Sequence, residues 1–163
     1  MNSVITDELK LLNVRITHKK APIHVLEKFT FKDIGKAYRV FLTSGDIREC
    51  VILQTCNRVE VFLALDKIDV EKIFDIWKDI TEMKELPFEL AEIDQDKAAI
   101  NHLLRLTSGL ESLVVGEDQI LGQVKRAFEY SRQNCYVDSF VPIIFEHAIK
   151  VGGRIRDREL KKT

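Results

Sequence analysis

The sequence predicts an α+β fold: a βαββαβ antiparallel sheet unit followed by packed helices. Three observations carry this. Short apolar stretches that alternate with period two, or run continuously, alternate with amphipathic stretches at three- and four-residue spacing. Their order is strand, helix, strand, strand, helix, strand over roughly residues 10–93, the ferredoxin-like order. Beyond about residue 94 the pattern changes to helical spacing alone, through about residue 160.

Taken in order, Leu11–Ile16 alternates and reads as a first strand. Pro22 opens a short helical turn through Leu26. Asp33 is placed to cap a helix running to about Leu42, with Ile34, Ala37, Tyr38 and Phe41 on one face. Ser44-Gly45-Asp46 breaks it. Cys50–Leu53 is continuously apolar, as expected of a strand covered on both faces. Val59–Leu65 is the next strand. Asp69 precedes a helix that lines up Val70, Ile73, Phe74, Trp77 and Ile80. Pro87 interrupts, and Phe88–Ile93 is expected as the last strand. Asp94 or Asp96 then caps a helix from Lys97 to Leu106, Leu110–Gly122 forms a glycine-punctuated connection, and Gln123–Asn134 and Phe140–Arg158 are two further helices. With no repeat, low-complexity tract or linker in between, residues 1–163 read as a single domain.

Composition bounds the function. Hydrophobic residues make up 45% and charged residues 31% of the 163 positions, a globular balance. No apolar run approaches the roughly 20 residues that span a bilayer. The first residues carry acids early and lack the basic-then-apolar order of a secretory signal. The net charge of −1 gives no global argument for nucleic acid. A local one exists at the C-terminal end, where Lys150, Arg154, Arg156, Arg158, Lys161 and Lys162 face only Asp157 and Glu159; a solvated helix end is the plainer reading. The three cysteines, Cys50, Cys56 and Cys135, show no metal-ligand spacing and no even pairing, so free thiols in a reducing, cytoplasmic setting are expected, without a metal.

Two segments carry chemistry. Gln54-Thr55-Cys56-Asn57-Arg58 is a polar pentapeptide between two apolar strands, which holds a thiol both accessible and aimed. Arg58 favours the thiolate and has the planar fork that suits a carboxylate. Cys50, inside an apolar run, and Cys135 are read as small buried hydrophobes. The second segment runs from Ser108 to Lys125. Its Ser112, Glu117, Gln119 and Gln123 present hydrogen-bonding groups at intervals that can face one cavity, and it lacks the spacing of a phosphate loop. His102, in the helix just before it, is a candidate by position. His18 follows the first strand and can line the same edge. His24 and His147 offer no argument.

These stretches resemble glutamyl-tRNA reductase, specifically its N-terminal catalytic domain. Thr17-His18-Lys19-Lys20-Ala21-Pro22 is similar to that family's HKxAP, Gln54–Val61 to its STCNRxE, and Ser108–Lys125 to its long SGLDSxVLGEPQILGQVK signature. The resemblance implies that Cys56 is the nucleophile attacking the ester that joins glutamate to tRNA, and that His102 matters for activity. It implies that Thr55, Asn57, Arg58, Ser112, Glu117, Asp118, Gln119 and Gln123 hold the glutamyl group, Arg58 facing its side-chain carboxylate. Asp118 stands where the family usually has Pro. The resemblance further implies a thioester that NADPH reduces to glutamate-1-semialdehyde, the first step of five-carbon tetrapyrrole (porphyrin) synthesis. Its implied partners are glutamyl-tRNA, a second copy in a full-length homodimer, and the downstream aminomutase, with no membrane. No Gly-x-Gly-x-x-Gly follows a strand, so the NADPH-binding and dimerisation domains are expected to lie outside this chain. Two other readings stay open on the residues alone: a non-catalytic tRNA- or partner-binding module, and a cysteine hydrolase pairing Cys56 with His102 or His18.

Overall fold

The structure is a computed structural model that describes residues 8–110 and 119–162, the last four as backbone only. Four strands, β1 (Lys10–Thr17), β2 (Ile47–Gln54), β3 (Arg58–Leu65) and β4 (Glu92–Gln95), form one sheet in the order β2-β3-β1-β4, antiparallel throughout. Helices α1 (Ile23–Leu26), α2 (Ile34–Leu42) and α3 (Val70–Thr81) fall between strands; α4 (Lys97–Ser108), α5 (Ile120–Gln133) and α6 (Phe140–Lys162) follow. This is the expected ferredoxin-like α+β order with packed helices after it. None of the described helices is long and apolar enough to cross a membrane.

Both faces of the sheet are covered, which is why every residue of β3 is buried. On one face Leu12, Val14, Ile16, Ile52, Val59, Val61 and Leu63 meet α2 and α3. Trp77 anchors that layer, its Nε1 donating to Phe29 O at 2.9 Å and its ring set edge-on to Phe29 and Phe41. On the other face Val51, Leu53, Phe62 and Ala64 meet α4, α5 and α6.

Asp33 and Asp69 cap α2 and α3 as expected, accepting from Lys36 N (3.1 Å) and Lys72 N (3.2 Å). Two expectations fail. Phe88–Leu90 is a 3₁₀ turn and the last strand is Glu92–Gln95, because Phe88 is drawn into the aromatic cluster with Phe29, Phe74 and Trp77 instead of a ladder. Asp96 stands at the N-cap of α4, its carbonyl accepting from Ile100 N at 2.9 Å, but its side chain accepts from Leu11 N at 3.0 Å instead of capping, and Asp94 pairs with Arg15. Helix α5 begins three residues before the expected Gln123.

Two long-range devices fix the second helical layer. Glu49, buried on β2, accepts from Asp138 N (2.8 Å), Val141 N (3.0 Å) and Phe140 N (3.2 Å) at the start of α6. A carboxylate thereby meets the positive end of the helix, two of its otherwise unbonded N–H groups and that of Asp138 just before it. At the other end α4 and α6 cross so closely that a Cβ on Gly152 would lie 2.5 Å from Thr107 Cβ and 2.6 Å from its backbone carbon. Thr107 Oγ1 donates to Ala148 O at 2.8 Å and Arg156 Nε to Thr107 O at 2.8 Å across the same crossing, so one arginine of the basic end is turned inward.

Gly152→Ala should therefore destabilise by about 1–3 kcal/mol through overpacking. Gly153→Ala, with nothing described within 4 Å of its Cβ, should be neutral or slightly stabilising. Thermal unfolding of the two variants measures the contrast, and equal melting temperatures would refute the close crossing.

Candidate active site

The β2–β3 hairpin presents Thr55, Cys56 and Asn57 at its tip. Thr55 N donates to Arg58 O at 2.9 Å and Asn57 N to Thr55 Oγ1 at 3.1 Å, so the turn is closed by its own residues. Cys56 is exposed there. His18, just past the end of β1, is docked onto this turn: its N–H donates to Asn57 O at 2.9 Å, and its ring Nδ1 lies 3.3 Å from the same oxygen. That oxygen only accepts, so the ring bond requires the proton on Nδ1.

Beneath the hairpin lies a buried polar network on the sheet face that carries α4. Glu60 on β3 is its centre, with none of its surface exposed. It accepts from Arg58 Nη1 (2.7 Å), His102 Nε2 (2.7 Å) and Asn13 Nδ2 (3.0 Å). Asn13 Oδ1 in turn accepts from Arg15 Nη1 (2.7 Å), which also bonds Asp94 at 2.8 Å, while Arg15 Nη2 meets Glu92 at 3.5 Å. Burial alone would raise the carboxyl of Glu60, but the His102 imidazole first and the Arg58 guanidinium second more than reverse this and hold it at about 2. An ionised Glu60 accepts only, so the proton shared with His102 sits on Nε2.

The expected site residues fall into three groups. Thr55, Cys56 and Asn57 form the tip, Cys56 exposed between two half-buried neighbours. Arg58 and His102 are buried together on Glu60. Gln123 lines a groove with Gln54, two residues before Cys56, while Gln119 is exposed just before α5. Ser112, Glu117 and Asp118 lie outside the described residues. Of the other thiols, Cys50 is fully buried and burial pushes its thiol well up. Cys135 is exposed rather than buried: it takes φ 60° as the left-handed residue that ends α5, with Cys135 N donating to Arg132 O and Tyr136 N to Ser131 O. Sequence reasoning missed the roles of Glu60, Asn13 and Arg15. The available signal was the polar Asn13, Arg15, Arg58 and Glu60 in strands otherwise apolar on both faces. Among the described residues no group of three or more His, Cys, Asp or Glu is arranged to hold a metal ion.

Fold and site together define an α+β domain of ferredoxin-like topology that carries an accessible cysteine on a hairpin braced by a buried carboxylate. Residues 14–159 match the family model for the glutamyl-tRNAGlu reductase N-terminal domain. The chain is 43% identical over 148 residues to a glutamyl-tRNA reductase of Cenarchaeum symbiosum, covering 90% of this chain and 36% of that protein. It is 37% identical over 147 residues to that of Methanopyrus kandleri, covering 90% and 34%. The solved Methanopyrus kandleri glutamyl-tRNA reductase superposes with a TM-score of 0.76 at 36% identity, covering 91% of this chain and 34% of that one. The chain belongs to the glutamyl-tRNA reductase N-terminal domain family, and it spans about a third of the length of these relatives.

Two measurements test the site. An alkylating reagent should modify Cys56 and Cys135 in the folded chain and reach Cys50 only on unfolding, read by peptide mass spectrometry; modification of native Cys50 would refute its burial. The second concerns pH. The carboxyl of Glu60 is lower folded (about 2) than its ordinary value of 4.5, so its stabilisation is complete above 4.5 and is lost as pH falls toward 2. Carbon NMR of that carboxyl should show it ionised well below 4.5 and protonating only near 2. Titration near its ordinary value would refute the pairing.

Proposed function

We propose that this chain is the thioester-forming domain of a glutamyl-tRNA reductase, with Cys56 as its nucleophile. The observation that carries the reading is the exposed Cys56 at a self-closed hairpin tip, in a chain of this family. The thiolate attacks the carbonyl carbon of the ester between glutamate and the 3′-terminal ribose. A tetrahedral oxyanion forms and collapses, the ribose oxygen leaves with a proton, and a glutamyl thioester remains on Cys56. Thr55, Asn57 and Gln123, with Ser112, Glu117, Asp118 and Gln119, hold the glutamyl group. Recognition of its side-chain carboxylate is assigned to Arg58, whose guanidinium is buried here and held by Glu60 at 2.7 Å, so the substrate has to open a way to it. His102, held through Nε2 by the same carboxylate, is kept in one orientation beneath the site.

NADPH, which the family implies, supplies a hydride that converts such a thioester to glutamate-1-semialdehyde, the entry to tetrapyrrole synthesis. The described residues do not fit that cofactor: the sheet is antiparallel and no strand feeds a glycine-rich turn into a helix, the cradle a dinucleotide requires. Everything asked of this chain precedes the hydride.

Incubated with glutamyl-tRNA, the chain should gain one glutamyl adduct by intact-protein mass spectrometry. The adduct should be released by hydroxylamine and absent in Cys56→Ser. An adduct mapping to Cys135 or Cys50 would overturn the assignment. A chain that binds glutamyl-tRNA but never acylates would instead favour the tRNA-binding module.

A further inference from the structure

A thiol that attacks the ester of glutamyl-tRNA meets the terminal nucleotide along with the amino acid, so that nucleotide must rest on a surface bordering the hairpin. The edge of β2 provides one. A groove of about 380 Å³ lies there between α2 and α5, with Ile34, Gln54, Gln123, Arg126 and Tyr130 among its lining residues. Gln54 closes its hairpin end and is held rigidly, its side chain accepting from Phe31 N (2.8 Å) and donating to Phe31 O (3.1 Å). Tyr130 is 37% exposed, and its ring is backed by Tyr38 (5.5 Å between centroids) and Tyr136 (6.2 Å). It offers an aromatic face that its neighbours hold in place.

The groove adjoins a second depression at Arg126. Arg126, exposed on α5, also lines this depression of about 490 Å³ between α5 and α6, with Lys125, Arg132 and Lys150 against Glu129 and Glu146. Arg132 is engaged by Glu129. From the hairpin end, α5 presents an amide (Gln123), a cation (Arg126) and an aromatic ring (Tyr130), and Lys150 of α6 joins Lys125 and Arg126 in the second depression. That combination suits a single-stranded nucleotide chain, whose bases stack on aromatic rings while its phosphates follow cations.

We propose that α5 is the docking surface for the single-stranded 3′ end of the tRNA. The terminal adenine sits in the β2-edge groove against Tyr130, and the preceding phosphates meet Arg126, Lys125 and Lys150. This rests on the thioester reading of Cys56 and adds where the nucleotide part of the substrate goes.

The test uses the 163-residue chain, Tyr130→Ala, Tyr130→Phe and Arg126→Glu. Acylation of Cys56 is followed with two donors, glutamyl-tRNA and a small glutamate α-thioester that carries no nucleotide. Binding of a labelled RNA ending in CCA is measured alongside. Tyr130→Ala and Arg126→Glu should lower the ratio of the tRNA rate to the small-thioester rate by about tenfold or more. Both should weaken RNA binding, Arg126→Glu should flatten its salt dependence, and Tyr130→Phe should restore the ratio. An unchanged ratio, or equal slowing with both donors, overturns the proposal. If the parent chain acylates with neither donor, the thioester reading itself fails. The RNA measurement then still decides the surface: unaltered binding in Tyr130→Ala and Arg126→Glu removes it, as does binding that is indifferent to the terminal adenine.

Discussion

A carboxylate with no exposed surface lies between an arginine and a histidine at the centre of this sheet. Taking Glu60 out of water is costly, and only its three donors make the ionised form tolerable. Those donors come from separate parts of the chain: Asn13 from β1, Arg58 from the base of the hairpin, His102 from α4. One buried charge therefore ties the central strands to the first helix of the second layer. It sets the orientation of the His102 ring and the Arg58 guanidinium. Arg15, with Asp94 and Glu92, extends the same network to the opposite edge strand.

The opposite edge is secured differently. Strand β2 is an edge strand, and unpaired edge groups invite association. Here Ile52 N donates to Tyr38 Oη at 2.7 Å and Cys50 N to Tyr136 O at 2.9 Å, while Ser131 Oγ meets the same Tyr38 oxygen at 2.7 Å. A tyrosine from one helical layer and a loop and serine from the other close over the edge. Burial and loss of hydration hold the Tyr38 hydroxyl in its neutral form, well above its ordinary range. Next to the hairpin, beyond this sealed part, the edge borders the groove lined by Gln54 and Gln123.

Much of the fold was legible because its signals are local. Asp33 and Asp69 announce helix starts, and the spacing of Val70, Ile73, Phe74, Trp77 and Ile80 marks the inner face of α3, where Ile73, Trp77 and Ile80 are buried and Val70 and Phe74 partly so. The failures are equally physical. Phe88 carries strand-forming character, yet its ring is worth more in the aromatic cluster around Trp77. Asp94 and Asp96 have the chemistry of caps, but Arg15 and the backbone of Leu11 reach them first. Cys135 looked like a small core residue, whereas the end of α5 needs a residue at positive φ and the chain supplies cysteine there.

The sequence by itself determined the strand and helix order, the family, and the segment that presents Cys56, since each depends on residues adjacent or one turn apart. Tertiary structure alone decided what Arg58 and His102 do. Forty-two positions separate Glu60 from His102, and no local rule predicts that the two meet at 2.7 Å. The same holds for Glu49 at the start of α6 and for Gly152 against Thr107. The reason is energetic. A buried charge must find donors wherever the packed chain brings them, and that place follows from how the layers stack across the sheet rather than from any neighbour in sequence.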